Sequence, residues 1–416
     1  MEPGRLLSRF LRYVKVDTTA DDTTDKYPSS NGQFELGRML VGELKAMGID
    51  DVVHNDRGIV IATLPGNTSH EVPTVALNSH LDTSPETTGK NVQPQVIENY
   101  DGRDIVLPGN TDKVIRREES PELSDLIGCT LITTDGTTLL GGDDKAGLAI
   151  IMETVERLCE NSELPHGSVR IVFTCDEEIG RGVDYVDVPG LNAVACYTLD
   201  GPGAGQIDVE TFSADLATIT IQGINIHPSI AQNRMVNAIK AAADFVSRLP
   251  KDSLSPETTN NREGFLHPYT LEGGVGEATL RVLIRDFDTD RLEQHAKWLK
   301  QIAQEVTNEY PGIHFDIQVT AQYRNLGDGL KQEPRAVNHA VTAHERLGLP
   351  FRRSIIRGGT DGSRFTELGL PTPNLSSGQH NPHSVLEWAC LDEMEQAVMV
   401  CLELLQIWAK SESSSR

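Results

Sequence analysis

The sequence contains no C-x-x-C pair, and its six cysteines, Cys129, Cys159, Cys175, Cys196, Cys390 and Cys401, stand far apart. That excludes a local zinc grip or dithiol redox motif, so the cysteines read as small buried hydrophobes. No apolar run approaches the roughly 18 residues of a membrane span. The opening stretch MEPGRLLSRFLRYVKVD interrupts its apolar residues with Arg and Lys and lacks the unbroken block of a secretion signal, so a cytoplasmic protein is expected. Basic residues are scarce, 37 against 61 acidic ones, and the formal charge of −24 repels phosphate backbones and anionic membranes. Neither nucleic acid nor membrane is an expected partner. There is no internal repeat, no Walker phosphate loop, and the GPGAG run after Asp200 lacks dinucleotide-loop spacing. A short polar tail, KSESSSR, is expected to be disordered.

What is present fits a folded chain of two domains, since 416 residues exceed the size at which a single core stops growing. Apolar residues recur at helical spacing from Gly4 to Val16 and from Asn31 to Met47. Short apolar runs then read as strands: Gly58 to Leu64, Val72 to Asn78, Cys129 to Ile132, Val169 to Thr174, Ala193 to Leu199 and Pro373 to Leu375. Helical patterns at Lys145 to Cys159, Pro334 to Leu347 and Leu391 to Trp408 alternate with them, as in an α/β sheet flanked by helices. Asn91 to Asp125 shows no clear period and is expected to run over the surface. Between about Glu210 and Tyr323 the order becomes strand, helix, two strands, helix, strand, which is that of a ferredoxin-like α+β sandwich. The expected organisation is a catalytic domain of residues 1–209 and 324–416 interrupted by an inserted lid or substrate domain of residues 210–323.

Five polar clusters follow predicted strands or apolar runs, the position where open α/β sheets gather functional groups. In NSHLDT, His80 and Asp82 lie two residues apart on an extended chain, so a carboxylate can orient the imidazole of a metal ligand; alone, this pattern is also that of a surface pair. In LLGGDDKAG, Asp143, Asp144 and Lys145 stand at a helix start, where a simple cap competes with a role for Asp143 in bridging two metals through its two oxygens. FTCDEEIG ends an apolar strand in three acids; one of Glu177 and Glu178 can bind metal while the other serves as general base, although such runs are often solvated turns. Asp200 closes ACYTLDG, equally a turn starter. GQHNPHSVLEW offers His380 and His383 for a single ligand role, with Glu387 beyond. These nitrogen and oxygen donors are those zinc prefers in open, hydrolytic sites.

Taken in order and spacing, NSHLDTSP, TLITTDGTTLLGGDDKAG, FTCDEEIGRG, YTLDG, IRGGTDGSRF and NPHSVLEW resemble the zinc aminoacylase and carboxypeptidase superfamily of metallopeptidases, and TLITTDGTTLLGGDDKAG and VLIRDFD its peptidase T family of tripeptide aminopeptidases. The resemblance runs over nearly the whole chain. It implies two zinc ions, with cobalt or manganese as substitutes: His80 and Asp200 on one, Glu178 and His383 on the other, and Asp143 bridging both. It implies that Asp82 orients His80, that Glu177 is the general base, that His227 in GINIHPS helps hold the scissile carbonyl oxygen, and that Arg285 and Arg357 contact the substrate. His383 is preferred to His380 because its H-S-x-x-E context fits better. The substrates implied are short peptides with a free N-terminus, above all tripeptides. An N-acyl amino acid deacylase or carboxypeptidase on the same scaffold, and a peptide-binding module without catalysis, are the alternatives. Oligomeric state is left open.

Overall fold

A computed structural model describes residues 4–411 of the chain. The chain divides into two compact units, one built of the residues up to Val209 with Leu326–Ser354 and the residues from Thr360 onward, the other of Glu210–Asn325 with Ile355–Gly359. The units divide after Val209 and after Asn325, where the sequence reading puts the domain bounds after residues 209 and 323. The short segment Ile355–Gly359 joins the second unit because Phe212 N–H donates to the Ile356 carbonyl at 3.1 Å and Arg357 donates to the carbonyls of Asn261 and Glu263.

In the first unit, nine strands lie side by side: Val52–His54, Val60–Leu64, Val169–Thr174, Val75–His80, Ala195–Pro202, Asn374–His380, Trp388–Cys390, Leu131–Thr133 and Gln95–Ile97. Neighbours run parallel from Val169–Thr174 through Asn374–His380 and antiparallel on both flanks. Val75–His80 is buried along its whole length, which explains why it reads as a continuous apolar run and not an alternating one. The helices Gly142–Glu160 and Leu391–Trp408 pack on this sheet, and Leu148, Ile151, Val398 and Leu404 are buried in one core with Leu77 and Ile171. Gly147 permits the close approach of the first of these helices, because a Cβ there would stand 2.4 Å from the Leu199 carbonyl oxygen.

The second unit has strand Ser213–Gln222, helix Ala238–Arg248, strands Phe265–Gly273 and Glu277–Asp286, helix Thr289–Glu309 and strand His314–Tyr323. Its antiparallel sheet orders them second, third, first, fourth, the arrangement of a ferredoxin-like sandwich. Ala217, Ile219 and Ile221 alternate inward beneath the helix residues Ala241, Phe245, Leu299 and Ile302, forming a core of its own.

Two expectations need correction. Residues 91–125 are not a bare excursion: Gln95–Ile97 extends the large sheet, and Ile105–Val106 pairs with Val114–Ile115. Tyr100, Leu107 and Leu123 bury themselves around Trp388, a partner remote in sequence that the local pattern does not reveal. Nor are all cysteines buried, since Cys159 is exposed on a helix and Cys129 is half-buried. Residues 412–416 of the polar tail lie outside the described residues. No helix among the described residues is long and apolar enough to cross a membrane.

Candidate metal centre

The parallel strands deliver the acidic clusters to one end of the sheet. His80 is the last residue of Val75–His80, Glu177 and Glu178 follow Val169–Thr174 in a short 3-10 turn, Asp200 lies in Ala195–Pro202, and His383 follows Asn374–His380. Asp143 comes from the segment after Gly141, whose left-handed backbone (φ +80°) turns the chain ahead of the helix.

Asp143 faces two ways. Its Oδ1 lies 3.0 Å from His80 Nε2, which is itself 4.0 Å from Asp200 Oδ1. Its Oδ2 lies 3.5 Å from His383 Nε2, and that nitrogen is 2.9 Å from Glu178 Oε2. Two trios of donors therefore share one carboxylate: His80, Asp143 and Asp200, and Asp143, Glu178 and His383, each with its donor atoms within 4.8 Å of one another. The buried Oε1 of Glu178 has no hydrogen-bond partner among the described residues. A buried carboxylate oxygen without a donor is costly, and a cation would satisfy it.

The electrostatics point the same way. Burial and neighbouring Asp143 push the Glu178 carboxyl up to about 7. Burial raises Glu177 well above the usual carboxyl range, with Asp361, Glu178 and Asp82 adding to it against the opposing pull of His80. Burial, Asp143 and Asp144 do the same to Asp200. Burial disfavours the charged imidazole of His383, but Asp143 and Glu178 outweigh it and carry its pKa up to about 11. Carboxyls so crowded stay ionised near neutrality only when positive charge sits among them. All donors are nitrogen or oxygen, they form two sets, and the shared member has one oxygen for each; the residues fit a pair of divalent cations.

Around the donors stands a layer of residues that hold them. Asp82 Oδ1 and Oδ2 accept the N–H groups of Glu177 and Glu178, each at 3.0 Å. His80 Nδ1 faces the Asp82 carbonyl at 3.1 Å and its carboxylate at 3.4 Å. Asp144 points away from the donors and accepts from Ser79 Oγ at 2.5 Å and His80 N–H at 3.3 Å. Lys145 is buried and donates to the Val16 carbonyl at 2.8 Å, so it anchors the helix start. In the triple acid, Asp176 turns aside to accept from Ser29 and Gln33, which leaves Glu177 and Glu178 for the centre. Gln379 donates to the Asp200 carbonyl and carboxylate at 2.9 and 3.1 Å.

The two competing histidines separate. His383 stands among the donors; His380 is stacked on Trp388, ring centroids 3.7 Å apart, and its Nε2 is 2.6 Å from Glu393 Oε2. His227, Arg285 and Arg357 belong to the second unit, where each has partners. His227 is exposed and its Nδ1 accepts from Ser229 N–H, which puts the proton of the neutral ring on Nε2. Arg285 donates to Gln322 at 2.9 Å and lies over the Tyr323 ring. Arg357 donates to two carbonyls and to Thr259 Oγ1. Sequence reasoning missed Gln379 and Asp361, the latter buried with its carboxylate accepting from Thr174 Oγ1. Gln379 lies one position before His380 in the QHNPHS segment, which is the only local signal for it.

Comparison with known proteins places these positions in context. Residues 209–314 match the M20_dimer family, described as a peptidase dimerisation domain. Peptidase T of Bacillus subtilis strain 168 is 44% identical over 399 residues, covering 96% of this chain and 97% of its own. Peptidase T of Listeria monocytogenes serotype 4a is 43% identical over 407 residues, covering 98% and 99%. Among solved structures, a tripeptidase from Staphylococcus aureus superposes with a TM-score of 0.76 at 25% identity over 98% of both chains. A Bacillus subtilis protein described as a dinuclear metal binding peptidase from the M20 family shares the fold, with a TM-score of 0.66 at 17% identity over 97% of both.

Proposed function

The chain belongs to the peptidase T family of M20 metallopeptidases, and from that premise we propose that it removes the N-terminal residue from tripeptides at a centre of two divalent cations. The observation that carries the reading is Asp143, whose two oxygens face two separate trios of donors. His80, Asp143 and Asp200 would hold one cation, and Asp143, Glu178 and His383 the other. Zinc is the ion best matched to histidine and carboxylate donors, with cobalt or manganese as substitutes.

Bound cations would supply Lewis-acid polarisation of the scissile carbonyl and a water acidified toward neutrality. Glu177 belongs to neither trio, and its backbone is held beside the centre by Asp82. Its carboxylate takes a proton from the attacking water and returns it to the leaving amine nitrogen. His227, with its proton on Nε2, is assigned to the developing oxyanion, and Arg285 and Arg357 to the peptide; the arginine assignments require each to keep donors beyond the contacts it makes within its own unit. Six free thiols fit a reducing compartment, which keeps the cytoplasm as the place of work.

The test pairs metal analysis with hydrolysis of a free tripeptide and its N-acetylated form. The proposal expects about two cations held by the nitrogen and oxygen donors of this centre, cleavage of the free peptide only, and a Glu177→Gln variant slowed by about 100-fold or more with its metal content intact. Equal cleavage of the acetylated peptide would move the chain to the deacylase or carboxypeptidase reading. Peptide binding without hydrolysis by the metal-loaded protein would leave only the binding module.

A further inference from the structure

Outside the centre just described, one other group of metal-binding side chains converges among the described residues: Cys129, Cys390 and Asp392 bring two sulfurs and a carboxylate oxygen within 4.8 Å of one another. We propose that these three residues form a separate site for a single thiophilic divalent cation of the zinc or cadmium class. The site sits in the first unit, where Cys390 ends the strand Trp388–Cys390 and Asp392 lies in the first turn of the following helix. Two backbone bonds fix the spacing of its halves. Thr130 N–H donates to Asp392 Oδ2 at 2.8 Å, and Leu391 N–H donates to the Thr130 carbonyl at 2.9 Å. A carboxylate has lone pairs beyond those taken by one N–H, so Asp392 can hold the backbone and still ligate.

The obvious rival is a disulfide between the cysteines, but both thiols are free in the structure. Cys390 pairs with Leu131, the first residue of its strand, and Cys129 lies two residues before that strand begins. Zinc–sulfur bonds of about 2.3 Å and zinc–oxygen bonds of about 2.0–2.2 Å place donors on one ion roughly 3.5–3.8 Å apart, a spacing the three side chains can reach from within 4.8 Å. Cys390 is buried, Cys129 half-buried and Asp392 exposed, so an ion would enter from the Asp392 side and keep a position open to solvent.

Burial raises both thiols, more strongly at Cys390, and Asp392 adds to the shift at Cys129. Loading therefore breaks two S–H bonds, forms two metal–sulfur bonds and releases two protons to solvent. The consequence is mechanical as well. The strand Trp388–Cys390 begins directly after Glu387, which holds the Asp143 segment, so the ion would pin the far end of the strand that carries this support.

The donor sets make the test selective, because the peptidase centre contains only nitrogen and oxygen and a thiolate-to-cobalt charge-transfer band can arise only from cysteine. Wild-type chain saturated with cobalt is expected to show that band in the near ultraviolet and to bind a single additional cobalt compared with Cys129→Ser. Cys159→Ser should keep the band, and Cys129→Ser and Cys390→Ser should lose it. In wild-type chain, one equivalent of cadmium beyond those filling the centre should block thiol-reagent labelling of Cys129 while Cys159 still reacts. The cadmium experiment decides the matter even if Cys390→Ser does not fold. A cobalt-saturated wild type without the band, a band that survives Cys129→Ser, or a Cys129–Cys390 disulfide found by mass spectrometry in the native chain each overturns the proposal.

Discussion

The backbone N–H of Asp143 donates to Glu387 Oε1 at 3.0 Å, while Oε2 of the same carboxylate accepts from Leu140 and Gly141 at 2.7 and 2.8 Å. Three converging N–H groups make Glu387 the clamp of the segment that presents the shared carboxylate. Glu387→Gln preserves the shape but puts an amide N–H₂ where an acceptor stood, and at least one backbone donor loses its partner. The expected outcome is a loss of about 10- to 100-fold in metal affinity, the usual effect of removing a residue that orients a ligand. Titration against a competing chelator measures it; unchanged affinity would mean that the segment holds its own shape.

Asp82 spans both halves of the centre. It faces His80 of one trio and fixes the backbone of Glu178 of the other, and it holds Glu177 between them. Asp82→Asn retains one acceptor oxygen and loses the second, so hydrolysis should fall by about 10- to 100-fold with both cations held more weakly. Parallel assays of tripeptide turnover and metal retention on dialysis check this. A drop in turnover with both metals held as tightly as in wild type would confine Asp82 to positioning Glu177.

The histidines only three positions apart should behave differently. His383→Ala removes a donor from the trio containing Glu178, so about one cation per chain should be lost and activity with it. His380→Ala should leave the metal count alone. It removes the stack on Trp388 and strands Glu393, which costs on the order of 3–5 kcal/mol where a buried charge loses its partner. Metal analysis and thermal unfolding of the two variants side by side separate the roles; metal loss from His380→Ala would reverse them.

Much of this was legible because the chemistry is written at strand ends. Val169–Thr174 is mainly apolar, with Ile171, Val172 and Phe173 running up to Asp176, Glu177 and Glu178, and that contrast marks both the strand and the cluster. Leu391–Trp408 is likewise marked by its apolar stripe. The choice between His380 and His383 is not a local property, since it depends on whether each ring meets Trp388 or Asp143 after folding. The holding residues were hidden for the same reason. Asp143 and Glu387 are 244 residues apart, and the Asn374 side chain accepts from Asp200 N–H across 174. The short pairings between residues 91 and 125 carry too few alternating positions to register as strands, and their core forms around Trp388.

Acid should undo the attachment of the first helix, Arg5–Tyr13. Buried Arg9 donates to Glu153 Oε2 at 2.7 Å, Arg5 donates to both Glu153 oxygens at 2.9 Å, and Arg157 adds a bond at 2.8 Å. Burial alone would raise the Glu153 carboxyl, but the hydrogen bonds and charges of Arg5 and Arg157 outweigh it and bring it below its ordinary 4.5. A carboxyl lowered in the folded state gives its full stabilisation above the unfolded value and loses it as the pH falls through the folded one. Glu153→Gln should therefore be less stable than wild type by about 1–3 kcal/mol near neutrality, because three guanidinium groups each lose one carboxylate while keeping Glu43, Glu156, Glu160 or Glu395. The gap should begin to close as the pH drops below 4.5, where the unfolded chain takes up the proton, and be gone once the pH has fallen through the lower folded value. Denaturation midpoints of both proteins measured from pH 7 down to pH 3 would reveal the convergence, and a gap of constant size across that range would show that Glu153 acts through packing and not charge.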